Sequence, residues 1–356
     1  MTRLLRALAA LLVATPVWAQ AAAPVSPAPD LKAIQRRARQ YLADSRESDA
    51  VAELRRAAKI GPLDRDLALR LASVEQAAGN RALAERQLRS AAQRYKSVQA
   101  LLQLARLQSG QGDAAGALES LSRARTLAPN AEDVLSASAQ VALAVRAPLP
   151  AIMALEPLTR MCPTVAQNPY LLGVALLQAG DMVGAVEPLQ QAQRLEPNRV
   201  LTLVALGFAL NGRKMYAEAK PGLLRALELE PENVEAVAAL AEAEDGLGEL
   251  PEAESHAERA LAKAGGHATA NLVVGMVRMK QERYAEARAA FERAIAGDPA
   301  SPKAYYQLSL AYARLGDEAG ALRQVELYQR KLREVDERVN QLRTATGMSG
   351  NGGMRR

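Results

Sequence analysis

Few side chains in this sequence have the types and positions that chemistry asks for. The two histidines are His256 and His267, and neither has a cysteine nearby or a second ligand at metal spacing. They read as surface histidines. The single cysteine, Cys162, precedes Pro163 with no histidine near it in sequence. It reads as a small buried filler rather than a nucleophile, and one cysteine excludes both a disulfide framework and a cysteine-built metal site. Glu242, Glu244 and Asp245 cluster, but a solvated helix face accounts for them. The glycines fall between helical segments and not in a strand-to-helix phosphate loop, so no nucleotide site is read. No catalytic residue, cofactor or metal is expected, and the chain is not read as an enzyme.

The elements that carry these residues are helices. Hydrophobic residues make up 49% of the 356 but aromatics only 3%, so the apolar content is mostly Ala and Leu, the best helix formers. Strict alternation of apolar and polar residues is nowhere sustained, which favours an all-α chain. Helix-stopping prolines recur at Pro129, Pro163, Pro197 and Pro231, 34 residues apart, and Pro299 keeps the same phase. Pro62 fits with one residue deleted. On that register, repeats begin near Leu31, Arg65, Val98, Glu132, Ala166, Val200, Val234, Ala268 and Pro302.

Each repeat places a small residue in its first helix: Ala38, Ala72, Ala105, Ala139, Gly173, Gly207, Ala241, Gly275 or Ser309. Each opens its second helix on an alanine, from Ala50 to Ala321, and four residues on carries Leu54, Leu88, Leu121, Leu155, Leu189, Leu223, Ala257, Phe291 or Val325. Two antiparallel helices approach closely only where a side chain is minimal, and larger neighbours fill the space beside that contact. Gly79-Asn80, Gly112-Asp113, Gly180-Asp181 and Gly316-Asp317 supply the turns, with glycine stopping one helix and Asp or Asn capping the next. Repeat four has Arg146-Ala147-Pro148 instead, so its second helix is expected to start late, after Pro150.

This pattern resembles the tetratricopeptide-repeat superfamily over residues 31 to about 335. The resemblance implies a right-handed α-solenoid of about nine 34-residue helix-turn-helix repeats, closed by a capping helix over Gln324–Arg343, with first helices lining a concave groove. The solenoid with its cap is expected to span residues 31–343. Residues 344–356 read as a disordered tail and 20–30 as a disordered leader. Before them, Arg3 and Arg6, the apolar run Ala7–Val17 and Val17-Trp18-Ala19 read as a signal peptide of residues 1–19. Its apolar run is too short to span a bilayer, and no later segment reaches that length without charge. A periplasmic or secreted location follows, with no lipid-anchor cysteine.

The groove stripe of the first helices sets the expected site. Repeats one to three give a basic floor with Arg36, Arg39, Arg70 and Arg106. Repeats five, six, eight and nine give an apolar wall: Tyr170, Val174, Leu201, Val204, Phe208, Leu272, Met276, Met279 and Tyr306. Repeat seven interrupts it with Glu235, Glu242 and Asp245. Apolar groups on a solvent face suit a protein or peptide segment, although packing between neighbouring first helices accounts for individual members. An acidic part of that segment is expected toward the arginines. A carboxylate clamp built on Lys and Asn is not supported, because Arg39, Arg70 and Gln103 stand where the Asn set belongs.

The net charge of +6 does not by itself argue for nucleic acid, and no nucleic-acid partner is read. It is segregated, with 18 basic and 10 acidic residues over 31–130, then 10 and 18 over 131–267. The expected function is a non-catalytic scaffold or adaptor of the cell envelope, in an envelope-assembly, secretion or polysaccharide-export complex. The alternatives are a self-associating structural repeat protein and a polysaccharide-binding solenoid.

Overall fold

A computed structural model describes residues 30–346. The expected signal peptide and residues 20–29 of the leader lie outside that range, as do residues 347–356 of the tail, whereas Asp30 caps the first helix and residues 344–346, expected in the tail, end the last one. The described residues form eighteen helices in nine antiparallel hairpins. They fall into two compact units, residues 30–91 and residues 92–346.

The first unit holds α1 (Leu31–Ala43), α2 (Glu47–Ile60), α3 (Arg65–Ala77) and most of α4 (Arg81–Tyr95). The second holds α5 (Val98–Gly110), α6 (Ala114–Leu127), α7 (Glu132–Ala144), α8 (Pro148–Met161), α9 (Gln167–Ala179), α10 (Met182–Leu195), α11 (Val200–Gly212) and α12 (Tyr216–Leu229). It continues with α13 (Val234–Leu247), α14 (Leu250–Lys263), α15 (Ala268–Lys280), α16 (Tyr284–Gly297), α17 (Pro302–Arg314) and α18 (Glu318–Thr346). The first helix of every repeat starts on the residue read from the sequence, except that Ala166 caps α9 and does not begin it.

The small-to-large contact expected inside the hairpins is present in repeats five, six and eight. Gly173 receives Leu189, Gly207 receives Leu223 and Gly275 receives Phe291, so closely that a Cβ at any of these glycines would collide with its partner. Leu189, Leu223 and Phe291 are fully buried. The alanines opening the second helices are buried from Ala50 to Ala287, while Ala321 is only half-buried.

The turns between paired helices share one conformation. Gly79, Gly112, Gly180, Gly248 and Gly316 have φ between 80° and 89°. The equivalent residues in the other four repeats are Ser45, Arg146, Lys214 and Glu282, and they too have positive φ. Every turn therefore demands the left-handed region that only glycine enters freely. This corrects the expectation for repeat four. Arg146, at φ 53°, makes the turn that glycine makes elsewhere, and α8 starts on schedule at Pro148. Proline is well placed in a first helical turn, where its missing N–H has no intrahelical partner to lose.

Within the second unit, successive first helices touch one another (α5 with α7, α9 with α11, α11 with α13, α13 with α15, α15 with α17), whereas successive second helices do not pack as closely. The stack therefore curves, with the first helices on the inner side.

α18 departs from the expected cap. Its first half pairs with α17 as the second helix of repeat nine, but it runs on for 29 residues and returns to α8 and α9. Leu342, near its far end, is 1% exposed and belongs to the same core as Leu172, Leu176 and Ala179 of α9. The long charged helix does not only cover the open end of the stack. It also reaches back to repeats four and five.

Candidate functional site

The candidate site is the inner face of the second unit, built by α9, α11, α13, α15 and α17. Each helix presents residues one turn apart on that face, and packing between neighbours decides which stay open.

Leu201 is 55% exposed and Tyr306 44%, and Leu310 beside Tyr306 is also exposed. Tyr170, Val174, Phe208 and Met279 are half-buried. Val204, Leu272 and Met276 are buried, with Met276 at 8%. The last three are a correction to the expected docking wall. Val204 packs with Val200, Leu203, Ala226 and Ala236, and Leu272 and Met276 belong to the core of repeats seven to nine. Where first helices touch, the flank of the inner stripe becomes core. The open apolar surface is therefore two patches, one at Leu201 on repeat six and one at Tyr306 and Leu310 on repeat nine.

Tyr170 is dressed by a cation. The Arg199 guanidinium lies 4.3 Å from its ring centroid and also donates to Gln167 at 2.5 Å. Burial pushes the Tyr170 phenol above its ordinary pKa, with the nearby Arg199 opposing. Tyr306 meets Tyr328 of α18, ring centroids 5.4 Å apart and tilted 49°. The C-terminal helix thus borders the repeat-nine patch.

Repeat seven separates the patches with charge, and the structure pairs that charge. Glu242 accepts from Lys303 at 2.6 Å, and Asp245 from Lys280 at 2.7 Å. Lys303 loses solvation through burial, but Glu242 outweighs that loss and holds its pKa above the ordinary lysine value. Glu244 is buried and pairs with His256 at 2.7 Å, with Lys220 3.9 Å away. A solvated carboxylate face is therefore not what this cluster is. It ties repeats seven, eight and nine together.

His267 is also not a surface histidine. Its Nδ1 accepts the Ala270 N–H at 3.3 Å, capping α15, and its Nε2 lies 3.1 Å from Glu235. Accepting at Nδ1 makes the neutral ring an Nε2–H donor to Glu235. That bond holds the Glu235 carboxyl below its usual range. Cys162 is half-buried as the C-cap residue of α8, not a buried filler.

The expected basic residues fall in both units. In the first, Arg39 pairs with Asp64 at 2.5 Å and Arg70 pairs with Glu47, while Arg36 is exposed. In the second, Arg106 is exposed beside Glu132 and Asp133 in a shallow hollow. Neutralised arginines make a weaker anion surface than the sequence suggested.

Among the described residues no group of three or more His, Cys, Asp or Glu side chains is placed to hold a metal ion. No described helix is long and apolar enough to cross a membrane. Sequence reasoning missed a cleft of about 550 Å³ between α6, α7 and α8, lined by Leu118, Leu121, Leu149 and Met153. It opens where repeat four departs most from the common pattern.

Hairpins of this size, with small-to-large contacts at fixed positions and an inner face of first helices, define an all-α helical-repeat protein. Residues 275–316 match the family model described as TPR repeat. A tetratricopeptide repeat protein from Parabacteroides merdae ATCC 43184 shares the fold, with a TM-score of 0.54 and 16% identity over 69% of this chain and 98% of that one. A thermophilic TPR protein of Thermus thermophilus aligns at 21% identity over 52% of this chain and 100% of that one, with a TM-score of 0.42. No curated protein matches the chain in sequence. Residues 275–316 thus match a TPR repeat, and the chain shares the fold of a tetratricopeptide repeat protein.

Proposed function

We propose that this protein is a non-catalytic scaffold of the cell envelope that docks a segment of a partner protein on the inner face of its second unit. The observation that carries this reading is the exposure of Leu201, Tyr306 and Leu310 on a face where Val204, Leu272 and Met276 are packed away. An apolar side chain left open beside closed ones is where a partner gains the most by covering it. The flanking aromatics, Tyr170 and Phe208, add rigid contact area. Paired carboxylates of repeat seven between the patches set a polar stretch that the partner must match.

The envelope location rests on Arg3, Arg6, the apolar run Ala7–Val17 and the small residue Ala19. Intact mass of the protein purified from its native cells tests it, with cleavage after Ala19 expected and an uncleaved N-terminus contrary.

Affinity capture from the envelope fraction tests docking. The protein is compared with Leu201→Glu plus Tyr306→Glu on the inner face, and with Leu224→Glu on α12, an exposed leucine of a second helix. A species retained by the native protein and by Leu224→Glu but lost with the inner-face pair supports the reading. Equal retention by all three overturns it.

A further inference from the structure

The apolar residues of α18 follow a rule of their own. Ala321, Val325, Tyr328, Leu332, Val335, Val339 and Leu342 are spaced by alternating steps of four and three. That is the heptad pattern of a helix made to lie along another helical surface. Around it the helix is charged, with Arg330, Lys331, Arg333, Glu334, Asp336, Glu337 and Arg338. The repeat accounts for Ala321 and Val325, but a 34-residue unit starting at Pro302 ends at Val335, so the stripe beyond it serves the extension.

The structure shows where the stripe goes. Tyr328 lies against Tyr306. Val335 sits over Gly180, the turn residue of repeat five, so that a Cβ there would come within 2.9 Å of Val335 Cγ1. Leu342 enters the core shared by α7, α8 and α9, with Leu143, Ala147 and Leu149 packed against that core. Between these anchors Leu332 stays 39% exposed, and Val335 and Val339 are half-buried. The polar contacts of Lys331, Arg338 and Thr344 run within the helix itself.

We propose that residues 332–346 are a latch. The turn of repeat five, with α8 and α9, forms a seat for an amphipathic helix with Val and Leu one heptad apart. The chain's own α18 fills that seat, and a partner helix of the same register displaces it. The latch runs from repeat nine to repeats four and five, so it ties together the two ends of the run of helices whose inner face holds Leu201 and Tyr306. Releasing it uncovers the seat, while Tyr328, which precedes the latch, stays against Tyr306. This deepens the docking reading above and rests on it for the partner, whereas the seat itself is testable without one. A self-occupied seat lowers the apparent affinity of any competing helix by the fraction of time the latch is open.

The test uses the full chain and a fluorescent peptide of residues 321–346. In Val335→Asp plus Leu342→Asp, amide hydrogens of residues 332–346 exchange faster, and those of α15–α17 keep their native rates. The peptide binds this variant at least about tenfold more tightly than it binds the native protein. A peptide carrying the same two substitutions binds neither. If the double variant unfolds, Leu342→Ala must move exchange and peptide binding in the same directions. Equal peptide binding by native and variant protein overturns the proposal, as does no binding by the variant or unchanged exchange of residues 332–346. A peptide that only associates with itself overturns it as well, because the stripe then serves a second copy. None of these outcomes depends on Leu201, so failure of the latch leaves the docking reading standing, and loss of the docking reading leaves the latch measurable.

Discussion

Repeat six and repeat seven put their inner faces to opposite uses. On repeat six, Leu201 is open and Phe208 half-open, with no charged partner from later repeats. On repeat seven, Glu242 and Asp245 are met by lysines projecting from repeats nine and eight. Phe208 and Glu242 hold the same position in successive repeats, and that position therefore either stays partly available or binds the stack to itself. What decides is the residue type supplied one or two repeats later, not the local helix. A solenoid is held by neighbour contacts, and a charge pair that skips a repeat adds a longer-range tie to that scheme.

The comparison can be broken most visibly at Met276. Met276→Glu places an unpaired carboxylate in the core of repeats seven to nine and is expected to lower stability by about 3–5 kcal/mol. Leu201→Glu, one turn from similar neighbours but exposed, is expected to stay within about 0.5 kcal/mol of native. Denaturant titrations of the two variants check the contrast, and equal losses would mean that Leu201 is also core.

The turns give a gain of intermediate size. Lys214 and Glu282 hold the left-handed conformation that glycine holds in five other repeats. Lys214→Gly and Glu282→Gly are each expected to stabilise by about 0.5–1 kcal/mol by relieving that strain. Thermal melts read the change as a rise in midpoint, and Gly248→Ala should fall by a similar amount.

The tie on repeat seven is worth less, because Lys303 is partly solvated. Glu242→Gln is expected to cost about 1 kcal/mol. Added salt should shrink the difference from native, since a partly exposed pair is screened. The smallest effect is in acid. Glu235 has its pKa depressed in the folded protein, so its contribution is present above the unfolded carboxylate value and fades as pH falls through the folded one. Native protein should lose slightly more stability than Glu235→Gln between about pH 5 and pH 3, and a larger loss in the variant would reverse the sign.

The repeats were legible in sequence because their signals are local and periodic. Proline and glycine stop helices wherever they occur, and a close helix pair needs its small residue at one fixed height. Arg146 misled for the same reason, since the turn it occupies is set by the two helices and not by its own preference. Val204, Leu272 and Met276 were read as open because the stripe on one helix does not reveal how near the next helix comes. His256 and His267 were read as surface groups because Glu244 and Glu235 reach them from the preceding helices. The return of α18 was written in its heptad spacing, a period that the 34-residue alignment does not test for.

The central claim, that a partner docks on the inner face of the second unit, is tested most directly by its footprint. Amide exchange of the full protein is measured with and without the species captured through Leu201 and Tyr306. Slowed exchange in α9, α11 and α17, with α10, α12 and α14 unchanged, is the expected result. Protection confined to α10, α12 and α14 would contradict it.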